Sequence, residues 1–261
     1  MDQHIMKKKF GQNFLTDKNL LQKIVNSAKI DGLDVIEIGP GQGALTSYLV
    51  LQAKTVTAYE VDNDLKDFLY NLASKHDNLT VNFMDILEVD LPNDKEYHVV
   101  ANIPYNITSP IIFKLLESDN IKSATLMVQK EVCDRITASP GSKIYGALSV
   151  IIQYYMDVSK LMNVNRKLFH PVPKVDSAVF KMSRRETTLN MEQEQLFLQI
   201  VKGAFHQKRK TILNNLSFSL DKTKEDVKAI LDSLNIESNL RAENLFLEDF
   251  IKITLSWSQK Q

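Results

Sequence analysis

Short apolar runs alternate with stretches of helical spacing between residue 33 and about residue 130. The apolar runs predict buried strands, and the spaced stretches predict the helices between them. Strands that alternate with helices form βαβ units, so the pattern predicts a mostly parallel sheet with helices on both faces. The predicted strands are 33–38, 55–61, 79–84, 97–101 and 123–129, and the predicted helices are 44–53, 62–75 and 109–116.

The pattern changes toward the C-terminal end of the chain. Residues 148–158 and 175–182 are predicted to be two further strands, which brings the sheet to seven. After residue 185 only helical spacing occurs, in segments 192–205, 208–218, 223–234 and 247–257. We therefore expect an α/β fold with two domains: residues 1–186 hold the seven-stranded sheet, and residues 187–261 form a small all-α domain.

Composition is ordinary for a globular protein of 261 residues, with 44% hydrophobic and 25% charged residues. It excludes a disordered tail and a collagen, and the absence of any apolar run of about 18 residues argues against a membrane protein. The lysine-rich N-terminus has no apolar stretch behind it, so it does not resemble a signal peptide. The single cysteine, Cys133, cannot form an internal disulfide, and the sequence predicts a cytoplasmic protein.

The formal net charge is zero, with 32 basic and 32 acidic residues, which argues mildly against a nucleic-acid partner. The charges are unevenly distributed, however. Acidic residues are in excess in 31–100, and basic residues are in excess in 1–30 and 101–185. The sequence leaves open whether those basic residues share one face.

Three of the eight glycines, Gly39, Gly41 and Gly43, lie at the predicted turn from the first strand to the first helix. Glycines at this position let the backbone approach a ligand closely. Glu60 ends the second strand and Asp85 follows the third, and carboxyl ends of parallel strands face the ligand crevice of such sheets. Glu60 can accept ribose hydroxyls and Asp85 an exocyclic amine, so the pattern predicts a nucleoside-containing cofactor. At this point NAD and S-adenosylmethionine remain open.

The fourth predicted strand ends in Asn102-Ile103-Pro104-Tyr105, which resembles the N/D-P-P-Y motif of methyltransferases that act on exocyclic amino groups of nucleic-acid bases. The side-chain oxygen of Asn102 and a backbone carbonyl near Pro104 can accept both hydrogens of an adenine N6 group and aim its lone pair. Tyr105 offers a ring on which the target base stacks. This chemistry excludes NAD and favours S-adenosylmethionine.

With two further motifs, at residues 9–15 and 169–177, the whole chain resembles the KsgA/Erm superfamily of ribosomal RNA adenine N6-dimethyltransferases. The resemblance implies a Rossmann-like class I S-adenosylmethionine-dependent methyltransferase domain without a metal site. It implies that Phe169 packs against the target adenine opposite Tyr105, although the residues alone are equally consistent with a core position for Phe169. The implied catalytic residues are Asn102, Pro104, Tyr105 and Phe169, and the implied cofactor-binding residues are Asn13, Leu15, Gly39, Gly41, Glu60, Asp85 and Asn102.

Two branches share these motifs. The KsgA-type branch methylates two adjacent adenines near the 3′ end of small-subunit (16S) rRNA, and the Erm branch methylates one large-subunit adenine and confers macrolide resistance. Residues 108–116, 204–216 and 241–243 resemble the KsgA-type branch, with Lys208 where arginine is more usual. The resemblance therefore implies N6,N6-dimethylation of adenine during small-subunit biogenesis.

The expected partner is the small ribosomal subunit, bound by a monomeric protein without a membrane partner. Candidate phosphate contacts are Lys7, Lys8 and Lys9 and the cluster of Lys208, Arg209 and Lys210, with Lys130, Arg135 and Lys143 as a third cluster. Three alternatives stay open: an Erm-type enzyme, a non-catalytic RNA- or DNA-binding factor with the same fold, and a small-molecule methyltransferase. The last gives no reason for the basic N-terminal segment or the helical C-terminal domain.

Overall fold

A computed structural model describes residues 14–259 of the chain, so Asn13, Lys7, Lys8 and Lys9 lie outside the described residues. Within the described range no helix is long and apolar enough to cross a membrane. The strands are β1 Phe14–Leu15, β2 Asp34–Ile38, β3 Thr55–Glu60, β4 Leu79–Phe83, β5 Tyr97–Asn102, β6 Ile121–Gln129, β7 Met156–Val164, β8 Phe169–His170 and β9 Ser177–Arg184. The helices are α1 Lys18–Ala28, α2 Thr46–Leu49, α3 Lys66–Ala73, α4 Thr108–Leu116, α5 Lys130–Ile136, α6 Ala147–Tyr155, α7 Met191–Ala204, α8 Ile212–Ser219, α9 Lys224–Ser233 and α10 Leu247–Ser258.

The main sheet has seven strands in the order β4-β3-β2-β5-β6-β9-β7. The five strands from β4 to β6 run parallel to one another, and β9 is antiparallel to β6. This mostly parallel seven-stranded sheet confirms the predicted fold class. The strand order reverses direction at β2, which has β3 on one side and β5 on the other, and ligands of open α/β sheets bind at such switch points.

The chain divides into two compact units. The first comprises residues up to Cys133 together with Val158–Arg184, and the second comprises Asp134–Asp157 together with the residues from Arg185 onward. By their contacts, residues 134–157 belong to the second unit. The division into domains 1–186 and 187–261 stays a prediction. In the first unit most residues of the central strands are buried, as apolar runs in a parallel sheet require. The core of the second unit includes Phe197, Ile200, Leu216 and Phe250.

The prediction of a strand at 148–158 was wrong, because residues 147–155 form helix α6 and the strand β7 begins only at Met156. A short apolar run rich in β-branched residues fits a buried strand or a buried helix equally well by its periodicity. Long-range contacts decide in favour of the helix. The Gln153 side-chain amide donates to the carbonyls of Ile136 and Ala138, and the Ser149 hydroxyl donates to the Arg135 carbonyl.

Candidate active site

The glycine-rich turn follows β2 at the switch point of the sheet. Gly39 and Gly41 both have left-handed backbone conformations, with φ of +67° and +60°. A Cβ atom on Gly41 would lie 2.9 Å from Cε1 of Phe14, so glycine is required there by backbone conformation and by space. The turn is fixed beside the ends of β2 and β3, where the Gly39 N–H donates to the Tyr59 carbonyl and the Gly41 N–H to Glu60.

Glu60 ends β3 and is buried against this turn. The Gly41 N–H donates to Oε2 of Glu60 over 3.0 Å, and the Asp62 N–H donates to Oε1 over 2.9 Å. Burial raises the pKa of Glu60, while the backbone hydrogen bonds lower it. Each oxygen keeps further acceptor capacity, so the carboxylate is held in place and can still accept hydrogen bonds from a ligand.

Asp85 lies just beyond the end of β4. Its Oδ1 accepts a hydrogen bond of 2.9 Å from the Leu87 N–H, which fixes the carboxylate in a local turn. The side chain is half-buried and lines the same pocket as Glu60. Two carboxylates from neighbouring strands therefore face one space, as their positions in the sequence predicted.

The segment from Asn102 to Tyr105 follows β5 on the other side of the switch point. The Pro104 carbonyl already accepts hydrogen bonds from the Ile107 N–H at 3.2 Å and from the Thr108 hydroxyl at 3.3 Å. The backbone acceptor that the motif offers to a ligand is therefore better assigned to the preceding carbonyl, that of Ile103.

A residue from a distant segment of the first unit holds the Tyr105 side chain in place. Its hydroxyl shares a hydrogen bond of 2.7 Å with the hydroxyl of Ser177, which is buried at the start of β9. Burial raises the pKa of Tyr105, so the phenol stays protonated at neutral pH. This contact joins two of the sequence motifs, 102–107 and 169–177, in one structure.

One pocket in the first unit brings most of the predicted site residues together. It encloses about 1090 Å³, its open mouth included. Residues from the ends of β2, β3, β4 and β5 line it, together with Phe14 and Leu15 of β1. The predicted site residues in the lining are Leu15, Gly39, Gly41, Glu60, Asp85, Asn102, Pro104 and Tyr105.

Among the described residues, Phe169 is the predicted catalytic or cofactor-binding residue that does not line the pocket. It pairs with Leu15 through the short β1–β8 sheet, and its side chain is 3% exposed within the core of the first unit. The structure thus places it in the core position that the residues alone allowed. Its predicted contact with a target base stays a prediction.

Glu37 is a pocket residue for which the sequence predicted no role. It lies in β2, is fully buried, and its Oε2 has no hydrogen-bond partner among the described residues. Burial raises its pKa from an ordinary 4.5 to about 8, and the Glu60 carboxylate acts in the same direction. The available signal was a carboxylate flanked by the apolar residues Ile36 and Ile38 in a buried strand, since such a group needs a partner.

This buried carboxyl predicts a pH-dependent stability that Glu37→Gln removes. With a folded pKa of about 8, the folded state keeps a proton that the unfolded state releases above about pH 4.5. The stabilisation relative to Glu37→Gln is therefore full below about pH 4.5 and is lost as the pH rises through about 8. Between those values the slope is at most about 1.4 kcal/mol per pH unit. Urea unfolding of both proteins across this range measures it, and parallel stability curves would contradict the assignment.

The basic cluster of Lys208, Arg209 and Lys210 belongs to the second unit. All three residues are exposed, in a turn between α7 and α8. The predicted helix at 208–218 begins only at Ile212, where the Thr211 side chain accepts from the Asn214 N–H as an N-cap. The three cations are therefore presented on a loop and not along a helix.

Comparison with known proteins decides the family. A model of the family described as "Ribosomal RNA adenine dimethylase" matches residues 3–259. The chain belongs to the ribosomal RNA adenine dimethylase family. The predicted family and enzyme class are thus confirmed, and the pocket is the candidate methyl-transfer site of an rRNA adenine dimethyltransferase.

Individual members of the family match along nearly their whole lengths. A protein of Aster yellows witches'-broom phytoplasma, named "Ribosomal RNA small subunit methyltransferase A", is 45% identical over 97% of each chain. Among solved structures, a dimethyladenosine transferase from Plasmodium falciparum superposes with a TM-score of 0.82 at 31% identity and covers 95% of this chain and 98% of its own. The 23S rRNA methyltransferase ErmE superposes with a TM-score of 0.78 at 31% identity and covers 95% and 100%. The fold is therefore shared with a dimethyladenosine transferase and with a 23S rRNA methyltransferase.

Proposed function

We propose that this dimethyltransferase transfers methyl groups from S-adenosylmethionine to the N6 atoms of two adjacent adenines near the 3′ end of small-subunit rRNA, during small-subunit biogenesis. The observation that carries the proposal is the single pocket that joins Glu60 and Asp85 to the segment Asn102–Tyr105. The name of the 45% identical phytoplasma relative supports the small subunit as the target. The cytoplasmic location and the monomeric state are part of the same proposal.

The acceptors in the pocket fit the donor and cationic groups of S-adenosylmethionine. Glu60 suits the two ribose hydroxyls, and Asp85 suits the exocyclic amine of the cofactor's adenine. Oε2 of Glu37 lies on the pocket wall without a hydrogen-bond partner among the described residues, and a cationic ligand group would satisfy it by favouring the ionised form of this carboxyl. Gly39, Gly41 and Leu15 line the pocket beside these groups, and Asn13 completes the proposed cofactor set.

When bound, S-adenosylmethionine supplies a methyl group on a positively charged sulfur. The side-chain oxygen of Asn102 and the Ile103 carbonyl accept the two N6 hydrogens of the target adenine. These contacts draw the nitrogen lone pair out of conjugation with the ring, aim it at the methyl carbon and stabilise the positive charge that develops on nitrogen. The bound cofactor would supply its methyl group to this lone pair, its sulfur would keep the electrons of the broken bond, and N6 would release a proton to solvent, so no strong base is needed.

Tyr105 holds the target base by stacking, as base-modifying enzymes require for an extruded base. The hydrogen bond to Ser177 anchors the hydroxyl end of its side chain. Lys7, Lys8 and Lys9 together with Lys208, Arg209 and Lys210 are the proposed phosphate contacts, which add affinity without reading sequence. With the proposed domain boundary near residue 186, the N-terminal domain carries out methyl transfer and the C-terminal domain selects the ribosomal subunit.

Ser177→Ala is predicted to impair positioning of the target base without weakening cofactor binding. Loss of the bond to Tyr105 frees the ring, and we expect kcat/KM for the RNA substrate to fall roughly fivefold, the effect of about one neutral hydrogen bond. Tyr105→Phe removes the same bond from the other side, so the double variant Ser177→Ala/Tyr105→Phe should lose no more than either single change. Fully additive losses, or a weaker cofactor affinity, would show that Ser177 has only a structural role.

A methyl-transfer assay tests the proposed function. It combines the purified protein with labelled S-adenosylmethionine and undermethylated small ribosomal subunits. We expect two adjacent dimethyladenosines near the 3′ end of the small-subunit rRNA. An Erm-type activity is the second candidate, favoured by the 0.78 TM-score to ErmE. Label that enters only large-subunit RNA would establish that candidate and overturn the first.

A further inference from the structure

An exposed pair of stacked aromatic rings lies beside the basic cluster of the second unit. The rings of His206 and Phe218 are 5.4 Å apart between centroids, with an angle of 24° between their planes. Phe218 is 70% exposed, which is unusual for a phenylalanine near the end of an ordered helix, and His206 is exposed as well. The cations of the cluster, Lys208, Arg209 and Lys210, lie just beyond His206 in the chain.

The turn that carries His206 and the cations is held by a buried side chain. Nδ2 of Asn215 donates to the carbonyls of Ala204 at 2.6 Å and Gln207 at 3.1 Å, and its Oδ1 accepts from the Gln207 N–H at 3.3 Å. On the inner side of the turn, the ring of Phe205 stacks on Phe250 at 5.8 Å. His206 and the cations are therefore presented in a fixed turn, which lowers the entropy lost on binding.

Close packing of α7 against α8 places Phe218 over His206. A Cβ atom on Gly203 of α7 would lie 2.7 Å from Cβ of Ser219, so the two helices approach as closely as a glycine permits. The Ser219 hydroxyl donates to the Gly203 carbonyl at the same point, at 3.3 Å. Phe218 is the neighbour of Ser219 in the chain, and this approach brings its ring against the imidazole.

An exposed aromatic face next to several cations is the combination that binds single-stranded nucleic acid. Unpaired bases stack on aromatic rings, and lysine and arginine contact the phosphates on either side. The other strongly exposed phenylalanine of this unit, Phe246, is 60% exposed but is closely followed by Glu248 and Asp249. That site repels phosphate, so Phe246 provides a matched control.

We propose that the His206–Phe218 pair is a stacking platform for an unpaired base of the substrate rRNA, distinct from the site that receives the target adenine. Lys208, Arg209 and Lys210 hold the phosphates next to that base. The platform rests on the proposed function for the identity of the RNA, and it adds a base contact to a cluster otherwise limited to phosphate contacts.

Binding of a short fluorescent oligo(A) to the full chain tests the platform, with an abasic strand of the same length as the comparison. Phe218→Ala is expected to weaken oligo(A) binding about tenfold, as loss of one stacked base does, and to leave binding of the abasic strand unchanged. Phe218→Ala should leave the salt dependence intact, whereas Lys208→Ala should reduce its slope by about one. Phe246→Ala should bind like the unmodified chain.

A local reporter distinguishes the platform from other RNA contacts. The chain's single tryptophan, Trp257, is buried, so Phe218→Trp adds an exposed emitter at the platform. We expect the emission of this variant to be quenched by oligo(A) and not by the abasic strand. Equal affinities of Phe218→Ala and Phe246→Ala for oligo(A), or no quenching of the Phe218→Trp variant by oligo(A), would overturn the platform even if small subunits are methylated. Conversely, quenching in a protein that does not methylate small subunits would overturn the proposed function alone.

Discussion

Asn102→Ala is expected to lower methyl transfer to small-subunit RNA by at least about 100-fold, while RNA binding stays near normal. The side-chain oxygen of Asn102 is one of two acceptors proposed to hold the target N6 group, and alanine offers none. A preorganised contact of this kind acts mainly in the transition state, so kcat should fall more than KM rises. Single-turnover transfer of labelled methyl groups, beside a filter-binding measurement of RNA affinity, separates the two quantities.

Two matched variants make this result interpretable. Asn102→Asp keeps an acceptor oxygen and should retain more activity than Asn102→Ala, whereas Asn71→Ala on the exposed surface of α3 should retain all of it. If the protein were a non-catalytic binding factor, the unmodified chain would transfer no methyl groups and Asn102→Ala would change nothing. If Asn102→Ala transferred methyl groups at the unmodified rate, the proposed role of the motif would be refuted.

Glu60→Ala is expected to weaken S-adenosylmethionine binding by at least about 100-fold. The carboxylate is proposed to accept both ribose hydroxyls, and hydrogen bonds to a charged group contribute about 1.5–3 kcal/mol each. Isothermal titration of the cofactor into each variant measures the loss. Glu60→Gln keeps one acceptor oxygen and should give an intermediate affinity.

The control for Glu60→Ala must account for its structural bonds. Glu60 also accepts from the N–H groups of Gly41 and Asp62, so part of any loss reflects a disturbed glycine turn. Thermal unfolding without cofactor measures that part, and Asp67→Ala on the exposed side of α3 provides a charge-matched control. An unchanged cofactor affinity in Glu60→Ala would remove Glu60 from the site.

The residues at strand ends were predictable because carboxyl ends of parallel strands share one edge of a sheet. Glu60, Asp85 and Asn102 lie far apart in sequence, yet alternating strands and helices suffice to place them around one crevice. The glycine turn was predictable for a related reason, since closely spaced glycines mark a backbone that side chains cannot follow.

Other features depend on contacts between distant segments and could not be predicted from the sequence. The apolar run of helix α6 fits a strand as well as a helix. The hydrogen bonds of Gln153 and Ser149 to carbonyl groups elsewhere in the chain, which accompany the helix, cannot be read from that run. The burial of Phe169 depends on the pairing of β8 with β1, two strands of only two residues each. The stacking of His206 on Phe218 likewise depends on how closely two helices approach, which hydrophobic periodicity does not encode.

The charge distribution is only partly explained by the structure. The acidic segment 31–100 includes Glu37, Glu60 and Asp85, which face the pocket from the ends of the sheet. A net charge of zero therefore does not argue against an RNA partner, because carboxylates that line the pocket contribute to the total charge without meeting phosphate.

The most direct test of the central claim is a map of dimethyladenosine in the rRNA of cells that have or lack this protein. The account predicts that two adjacent dimethyladenosines near the 3′ end of small-subunit rRNA disappear when the protein is removed, and return with the unmodified chain but not with Asn102→Ala. Persistence of both modifications without the protein, or loss of a modified adenine in large-subunit rRNA alone, would contradict it.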